Sequence, residues 1–375
     1  MSKEMTRRQW LTQSGIVLGG TALASYGGMS QAFALPLQST SHSPIRMMYN
    51  ENPYGPSEAA RRAMIKAFDE ANLYTFSRGD AYDKLRALIA QQVDLTPDHI
   101  VVSAGSTEVL RAAGLITALK EGEVVSPHPT FKALTRYAES MGVKIHRVPL
   151  DEDFHFDLSA IRKKIAKKVK LIYLCNPNNP TGTITPYNKL RPFCEEMAKE
   201  ALVFVDEAYY EYVTDPQYRS MAELVREGHN VIVSRTASKI HGLAGLRVGF
   251  GIADPELIRY LRERLTGTNN IIGLRAAIAS YQDEDFQKSC RRKNKEAKEF
   301  LYRILRKTGH RYLPSHTNFV FFHTGLPIEE FQDAMKKHGI LVGRPFPPYL
   351  DWCRLSMTKP EGMERFAAAF QKVMG

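Results

Sequence analysis

Six short apolar runs separated by helix-like segments constrain this 375-residue chain more than any other feature of its sequence. They are Ile100–Ser103, Glu123–Ser126, Leu171–Cys175, Leu202–Val205, Val231–Ser234 and Val248–Ile252, each bounded by polar or turn residues. Continuous apolar runs are strands buried on both faces, and strands covered on both faces by helices build a largely parallel sheet. Between them, Ala81–Gln92 sets Tyr82, Leu85, Leu88 and Ile89 on one helical face. The pattern predicts a large α/β domain over residues 56–265. Residues 266–375, with strands at Asn318–Phe322 and Cys353–Ser356 between helices, read as a smaller α+β domain. Residues 35–55 form an N-terminal arm containing a Ser/Pro linker near Ser39–Pro44. In open α/β sheets, ligands collect beyond the carboxyl ends of the strands.

Composition agrees with two packed domains: 43% of residues are hydrophobic and 24% charged, with no internal repeat. The formal net charge is +11. A nucleic-acid partner would need this charge gathered on a recognition motif. Instead, Arg162-Lys163-Lys164 with Lys167, Lys168 and Lys170, and Arg291-Arg292-Lys293, are expected on solvated helix faces, because Ile161, Ile165 and Val169 recur between the charges. Cys175, Cys194, Cys290 and Cys353 are far apart and show no metal-type spacing, so buried thiols are expected and no metal site.

Residues 1–34 read as an address. Thr6-Arg7-Arg8-Gln9-Trp10-Leu11 resembles a twin-arginine export signal; a Gly-rich apolar stretch from Ile16 to Tyr26 and then Ala32-Phe33-Ala34, a small-x-small cleavage pattern, follow it. A short N-terminal helix is the alternative. Gly15, Gly19, Gly20, Gly27 and Gly28 weaken it, each by up to about 1 kcal/mol at an interior position. The stretch is too short to span a bilayer, so no stable membrane association is expected once it is removed. A periplasmic location is expected, or a cytoplasmic one if the signal is not used.

Chemistry concentrates where apolar runs end. Ser234-Arg235-Thr236-Ala237-Ser238-Lys239 follows one strand, and Arg247 lies eight residues beyond the lysine. Hydroxyls and a guanidinium suit a phosphate dianion, while a lysine amine attacks an aldehyde. The glycines at 242, 245 and 249 do not form GxGxxG, which removes the support for an NAD-dependent dehydrogenase. Asp206, ending the run Val203-Phe204-Val205, is either a cap or the anion that pairs with a protonated cofactor ring nitrogen. Tyr209 follows three residues later, placed to donate to a phenolic oxygen. Asn176-Pro177-Asn178-Asn179-Pro180-Thr181-Gly182 is a turn by composition and offers Asn179 as a second donor. Ala104-Gly105-Ser106-Thr107-Glu108 joins a strand to a helix, where unpartnered N–H groups favour an anion. Phe131 is core or a stacking ring; Arg354 is an ion-pair partner or a fork for a carboxylate.

As a set, these residues resemble the fold-type I class I/II aminotransferases, and within them the histidinol-phosphate aminotransferase branch. The resemblance runs from about Arg46 to the C-terminus, through Asn50-Glu51-Asn52-Pro53-Tyr54-Gly55-Pro56, the NPNNPTG run at 176–182, Asp206-Glu207-Ala208-Tyr209, the run from Ser238 to Gly249, and Arg354. It implies a large, mostly parallel α/β domain with a smaller α+β domain, and pyridoxal 5'-phosphate held as a Schiff base on Lys239, which then shuttles the proton. Asp206 would pair with the pyridinium nitrogen, Asn179 and Tyr209 with the phenolic oxygen, and Phe131 would stack on the ring. Ser106, Thr107, Thr236, Ser238 and Arg247 would hold the phosphate, with Tyr74 reaching in from a second subunit of a homodimer whose active site is shared. Arg354 would bind the substrate carboxylate, with Tyr54 and Asn179 lining the substrate pocket.

The chain departs from the branch in three places. Leu73-Tyr74-Thr75 stands where Arg-Tyr-Pro is usual, and Thr268-Asn269-Asn270-Ile271 replaces an aromatic-proline run. Gly343 takes the place of an arginine that binds the substrate's phosphate, with Arg344 displaced by one. The expected reaction is transfer of an amino group from an L-amino acid or a histidinol-phosphate-like amino-alcohol phosphate to a 2-oxo acid such as 2-oxoglutarate. The alternatives are an aromatic or other L-amino-acid aminotransferase and a threonine-phosphate-decarboxylase-like lyase on the same scaffold. A non-enzymatic regulator of this lineage carries an N-terminal DNA-binding domain, for which residues 1–45 leave no room.

Overall fold

The computed structural model describes residues 43–75 and 80–374; the export signal and its cleavage site lie outside them. Among the described residues eleven strands follow one another: β1 (Ile45–Met47), β2 (Ile100–Ser103), β3 (Glu123–His128), β4 (Ile145–Pro149), β5 (Val169–Cys175), β6 (Leu202–Asp206), β7 (Val231–Thr236), β8 (Gly249–Ile252), β9 (Phe319–His323), β10 (Ile340–Val342) and β11 (Trp352–Ser356). Seven of them form one sheet in the order β2-β8-β7-β6-β5-β3-β4.

Each of the six apolar runs is a strand of this sheet. Side chains alternate between its two faces, so each strand supplies two cores. Val203 and Val205 of β6 join Ile172, Leu174, Val231 and Val233 on one side. Leu202 and Phe204 join Leu171, Tyr173 and Ile232 on the other. Helix Asp80–Gln92 buries Leu85 and Ile89 against the first core, with Tyr82 and Leu88 packed beside them. Helix Ser106–Leu119 buries Val109, Leu110, Ala113 and Ile116 in the second.

The sheet is parallel except at β8, which runs antiparallel to both β2 and β7. An apolar run carries no sign of its direction, so sequence pattern does not reveal this reversal. It has a consequence for the site: the residues entering β8 stand at the same edge as the carboxyl ends of β2 and β7. The sheet also has an edge strand, β4, that composition hides, because its Ile145-His146-Arg147 start is only half-buried or exposed.

A further core forms from the C-terminal third, with Leu301, Phe322, Phe331, Leu355, Phe366 and Phe370 all buried. Met47 belongs to it, because β1 pairs in parallel with β10 through Met47 and Val342. The short strand crosses from the N-terminal arm into a core built some 290 residues later. The basic run at 162–170 differs from the helix face expected of it. Helix Leu158–Arg162 ends at its first basic residue, and Lys163, Lys164, Lys167 and Lys168 are exposed in the turns that follow. All four cysteines are buried and unpaired. No helix among the described residues is long and apolar enough to cross a membrane.

Met47→Ala tests whether the arm is part of this core. Truncating a fully buried methionine costs roughly 2–5 kcal/mol, read as a lowered urea midpoint at unchanged slope. A change within about 0.5 kcal/mol would mean that β1 merely rests on the core.

Candidate active site

The register of the parallel strands draws one line across the sheet. Cys175 of β5 pairs with Asp206 of β6, and Asp206 with Ser234 of β7. Beyond this line lies a cleft of about 310 Å³. Ser106, Thr107, Phe131, Asn179, Asp206, Tyr209, Thr236, Ser238, Lys239, Arg247 and Arg354 all line it, together with Tyr49, Asn50, Cys175, Ala208, Ala244 and Arg344. Nearly all of the residues singled out from the sequence therefore converge.

Their positions follow from the strands that carry them. Asp206 is the last residue of β6 and is buried. Burial raises its carboxyl to about 6, although the Ser234 hydroxyl, donating to Oδ1 at 2.8 Å, and Lys239 both pull it down. Near neutral pH it is an anion. Lys239 stands three residues past β7, and its Nζ lies 3.3 Å from the Asn50 carbonyl. Burial, with Arg354 next, lowers the amine to about 8. A cation is disfavoured there because water has been withdrawn and a second cation is near.

The antiparallel strand supplies the other end of the site. Gly249 opens β8 opposite both Ser103 and Thr236, which puts Arg247 beside the start of helix Ser106–Leu119. Arg247 adopts a left-handed backbone conformation, φ 55°, uncommon for a residue with a Cβ. Its Nη1 donates to Ser238 Oγ at 3.2 Å and to the Ala244 carbonyl at 2.8 Å. Thr236 Oγ1 donates to Ser238 Oγ at 2.9 Å. Glycines make this convergence feasible: a Cβ on Gly105 would fall 2.2 Å from the Arg247 guanidinium, and one on Gly249 2.2 Å from the Ser106 nitrogen. Gly105 caps the helix without a side-chain bond. Four hydroxyls, one guanidinium and an open helix start thus surround one point, a cradle for a phosphate dianion.

Around the carboxyl edge the polar groups are interlocked. Tyr209 Oη accepts from Asn50 Nδ2 at 2.8 Å and faces Asn179 Nδ2 at 3.5 Å. Asn179 Oδ1 accepts from Arg354 Nη1 at 2.7 Å. Arg354 is buried, which lowers it to about 10; its Nη2 donates to the Met48 carbonyl, and its Nε has no partner. No carboxylate pairs with it among the described residues.

Two expected residues fall elsewhere. Tyr54 does not reach the cleft. Asn52 Oδ1 accepts from the Tyr54 nitrogen at 3.0 Å, Gly55 turns at φ 69°, and the ring enters a separate narrow pocket with Asn52 and Cys290, under Lys293 Nζ at 4.3 Å. Tyr74 is exposed and lines none of this chain's cleft. Two residues the motif reading passed over belong to the site. Asn50, left-handed at φ 57°, bonds Tyr209 and Ser356 and offers its carbonyl to Lys239 and Asn318. Ser234 holds Asp206. An asparagine ahead of an Asn-Pro turn is a signal for the first, because Asn tolerates positive φ; a serine inside an apolar strand is a weaker one for the second.

Comparison with known proteins decides the lineage. The profile of the family described as Aminotransferase class I and II matches residues 43–370. The chain belongs to that family. It is an aminotransferase, and it uses pyridoxal phosphate. A histidinol-phosphate aminotransferase of Symbiobacterium thermophilum is 36% identical over 89% of this chain and 91% of its own. The structure of a histidinol-phosphate aminotransferase of Sinorhizobium meliloti in complex with pyridoxal-5'-phosphate superposes with a TM-score of 0.80 at 26% identity, covering 88% of this chain and 91% of that one. An aspartate aminotransferase of Thermus thermophilus, at 18% identity, a TM-score of 0.77 and coverage of 88% and 92%, shares the fold.

The cofactor fits the residues present: an anion at Asp206 for the ring nitrogen, an amine at Lys239 for the aldehyde, and the Arg247 cradle for the phosphate. Aldehyde capture needs the neutral amine. Apoprotein should therefore take up pyridoxal phosphate at a rate that climbs with pH and levels off above about 8, not near the ordinary lysine value of 10.5. Arg354→Leu, which removes a cation depressing the amine, should move the midpoint upward. A midpoint near 10.5, or one that Arg354→Leu leaves in place, would contradict this account of the lysine.

Proposed function

We propose that the aminotransferase takes its amino group from an L-amino acid or a histidinol-phosphate-like amino-alcohol phosphate and delivers it to a 2-oxo acid such as 2-oxoglutarate. The observation that carries this reading is the pair of arginines in the cleft. Arg354 is buried with an orphaned Nε and no carboxylate partner among the described residues, and Arg344 lines the cleft beside it. A buried guanidinium left short of an anion is a receptor for one. Bound pyridoxal phosphate supplies an electron-poor ring that stabilises negative charge at the substrate carbon. The residues of the chain do the rest. Asp206 would keep the ring nitrogen protonated, Tyr209 and Asn179 would donate to the phenolic oxygen, and the cradle of Ser106, Thr107, Thr236, Ser238 and Arg247 would hold the phosphate. Phe131 would lie against the ring. Lys239, whose amine burial lowers to about 8, would hold and return the proton.

The named relatives support a phosphorylated amino donor, and half-reactions discriminate. Purified holoenzyme should lose its long-wavelength absorbance on adding L-histidinol phosphate and regain it with 2-oxoglutarate. Lys239→Ala should lower turnover by roughly 10²–10⁴-fold or more. Release of carbon dioxide without dependence on a 2-oxo acid would overturn amino transfer.

The working unit is read as a homodimer in which Tyr74 reaches the partner's phosphate cradle; its exposure on the single chain fits that role. Residues 1–34 are read as a twin-arginine address cleaved after Ala34, which carries the folded, cofactor-loaded protein to the periplasm. Light scattering of the purified protein should give about twice the mass of one chain, and replacing Arg7 and Arg8 with lysine should hold the protein in the cytoplasmic fraction. A monomer with full activity, or unaltered export, would refute the respective reading.

A further inference from the structure

The turn at Asn50 is fastened by two residues more than 260 positions away in the chain. β9 and β11 pair antiparallel with Phe319 opposite Ser356, and the Met357 nitrogen donates to the Asn318 carbonyl at 2.9 Å, so the ladder runs one step past the strands. Asn318 and Ser356 therefore stand at the same end of this two-stranded sheet. Ser356 is two residues from Arg354, which lines the cleft, so both side chains leave one face of β11.

Each bond to the turn is specific. Asn318 Nδ2 donates to the carbonyls of Asn50 at 3.0 Å and Glu51 at 3.2 Å. Ser356 Oγ accepts from the Asn50 nitrogen at 2.8 Å and donates to Asn50 Oδ1 at 2.9 Å. All three residues are buried. What is left of Asn50 faces the site: its Nδ2 donates to Tyr209 Oη at 2.8 Å, and the second lone pair of its carbonyl accepts from Lys239 Nζ at 3.3 Å. A residue with a Cβ at φ 57° keeps that conformation when its surroundings over-determine it. Here they do. Stability alone does not account for Asn318: its buried Oδ1 meets no donor among the described residues, a net cost that an apolar side chain of similar size would avoid. The amide brings donors aimed at two adjacent carbonyls.

We propose that Asn318 is a positioning residue for Lys239: with Ser356 it locks the Asn50 turn, so that the Asn50 carbonyl faces the lysine amine and the Asn50 side chain faces the Tyr209 hydroxyl. The inference rests on the reading of Lys239 as the residue that captures the cofactor aldehyde. It gives the clamp a defined effect on that amine. Besides the Asn50 carbonyl, and the Tyr209 ring at 5.4 Å, the charged groups acting on Lys239 are Arg354 and Arg247, which lower it, and Asp206 and Glu51, which raise it. Releasing the turn would take away both a carbonyl acceptor and the fixed place of Glu51. Both losses disfavour the ammonium, so both move the amine the same way, downward.

The test uses the full-length chain freed of cofactor, with pyridoxal phosphate uptake followed by absorbance across pH. Asn318→Leu, close in size but without donors, should lower the uptake midpoint from about 8 by roughly half to one pH unit. The plateau rate at high pH should fall about 5- to 10-fold, because the free amine is no longer held in place. Ser356→Ala, a milder change should the first variant fold poorly, should act in the same direction, and the double variant should fall short of the sum of the two. Leu301→Ala, which loosens the core of the C-terminal third and holds no bond to Asn50, should lower the urea midpoint and leave the pH midpoint in place. A pH midpoint that stays or rises in both Asn318→Leu and Ser356→Ala, or that moves as far in Leu301→Ala, would overturn the proposal. Uptake at the wild-type rate by Lys239→Ala would instead sink the reading of Lys239 on which it rests.

Discussion

The site depends on one reversal of direction in an otherwise parallel sheet. Because β8 runs against β2 and β7, its first residues meet the carboxyl ends of both neighbours. Were β8 parallel, Arg247 would stand at the far edge, a strand's length from Lys239. As built, the arginine closes a ring with Ser106, Thr236 and Ser238, and the two glycines at 105 and 249 leave room for it. The left-handed backbone at Arg247 has an energetic cost, about 1–3 kcal/mol for a residue of this kind. Its bonds to Ser238 and Ala244 hold the residue in that conformation.

Sequence pattern carried most of this because the sheet is buried on both faces. Runs such as Leu202–Val205 have no polar interruption, so their strand character and approximate ends are legible, and polar residues just past an end stand out. That is why Asp206, Lys239 and Asn179 are recognisable in the sequence. Half-exposed and very short elements were not legible for the same reason. β4 starts Ile145-His146-Arg147 and faces solvent, while β1 and β10 are three residues each and exist only because they pair with one another. Strand direction is equally silent in a hydropathy pattern. So is the fate of Tyr54, whose ring follows a turn in which the Tyr54 and Gly55 N–H groups donate to Asn52. Asn50 shows the intermediate case: the residue lay inside a recognisable run, but its role arises from contacts with Tyr209, Ser356 and Asn318, up to 306 positions away.

Burial sets the electrostatics of the cleft more than any single pair does. It is the largest influence on Asp206, Lys239 and Arg354 alike, raising the acid and lowering both bases. Withdrawing water brings all three toward neutrality, and their neighbours then decide which remain charged. Ser234 returns Asp206 to the anionic side near neutral pH, whereas Arg354 presses Lys239 further toward the free amine. In the proposed function one group would thus stay ionised to hold a ring nitrogen while the other would serve as nucleophile and base. The division of labour comes from position along two adjacent strands.

Arg354 completes that logic. Its guanidinium is bonded on one side to Asn179 and on another to a backbone carbonyl, and it lies against Phe319 and Phe346, yet it meets no anion among the described residues. A buried cation so placed destabilises the free protein, and the fold retains it because the surrounding contacts fix its geometry. On the function proposed above, a substrate carboxylate would offset that cost, since the pairing would form in a site already stripped of water and oriented by Asn179. Asn179 also faces Tyr209, so Arg354 and Tyr209 are joined through one amide. In the proposed function this would couple substrate binding to cofactor tuning: a carboxylate drawing on Arg354 would alter the hydrogen bonding that Asn179 offers to the Tyr209 side.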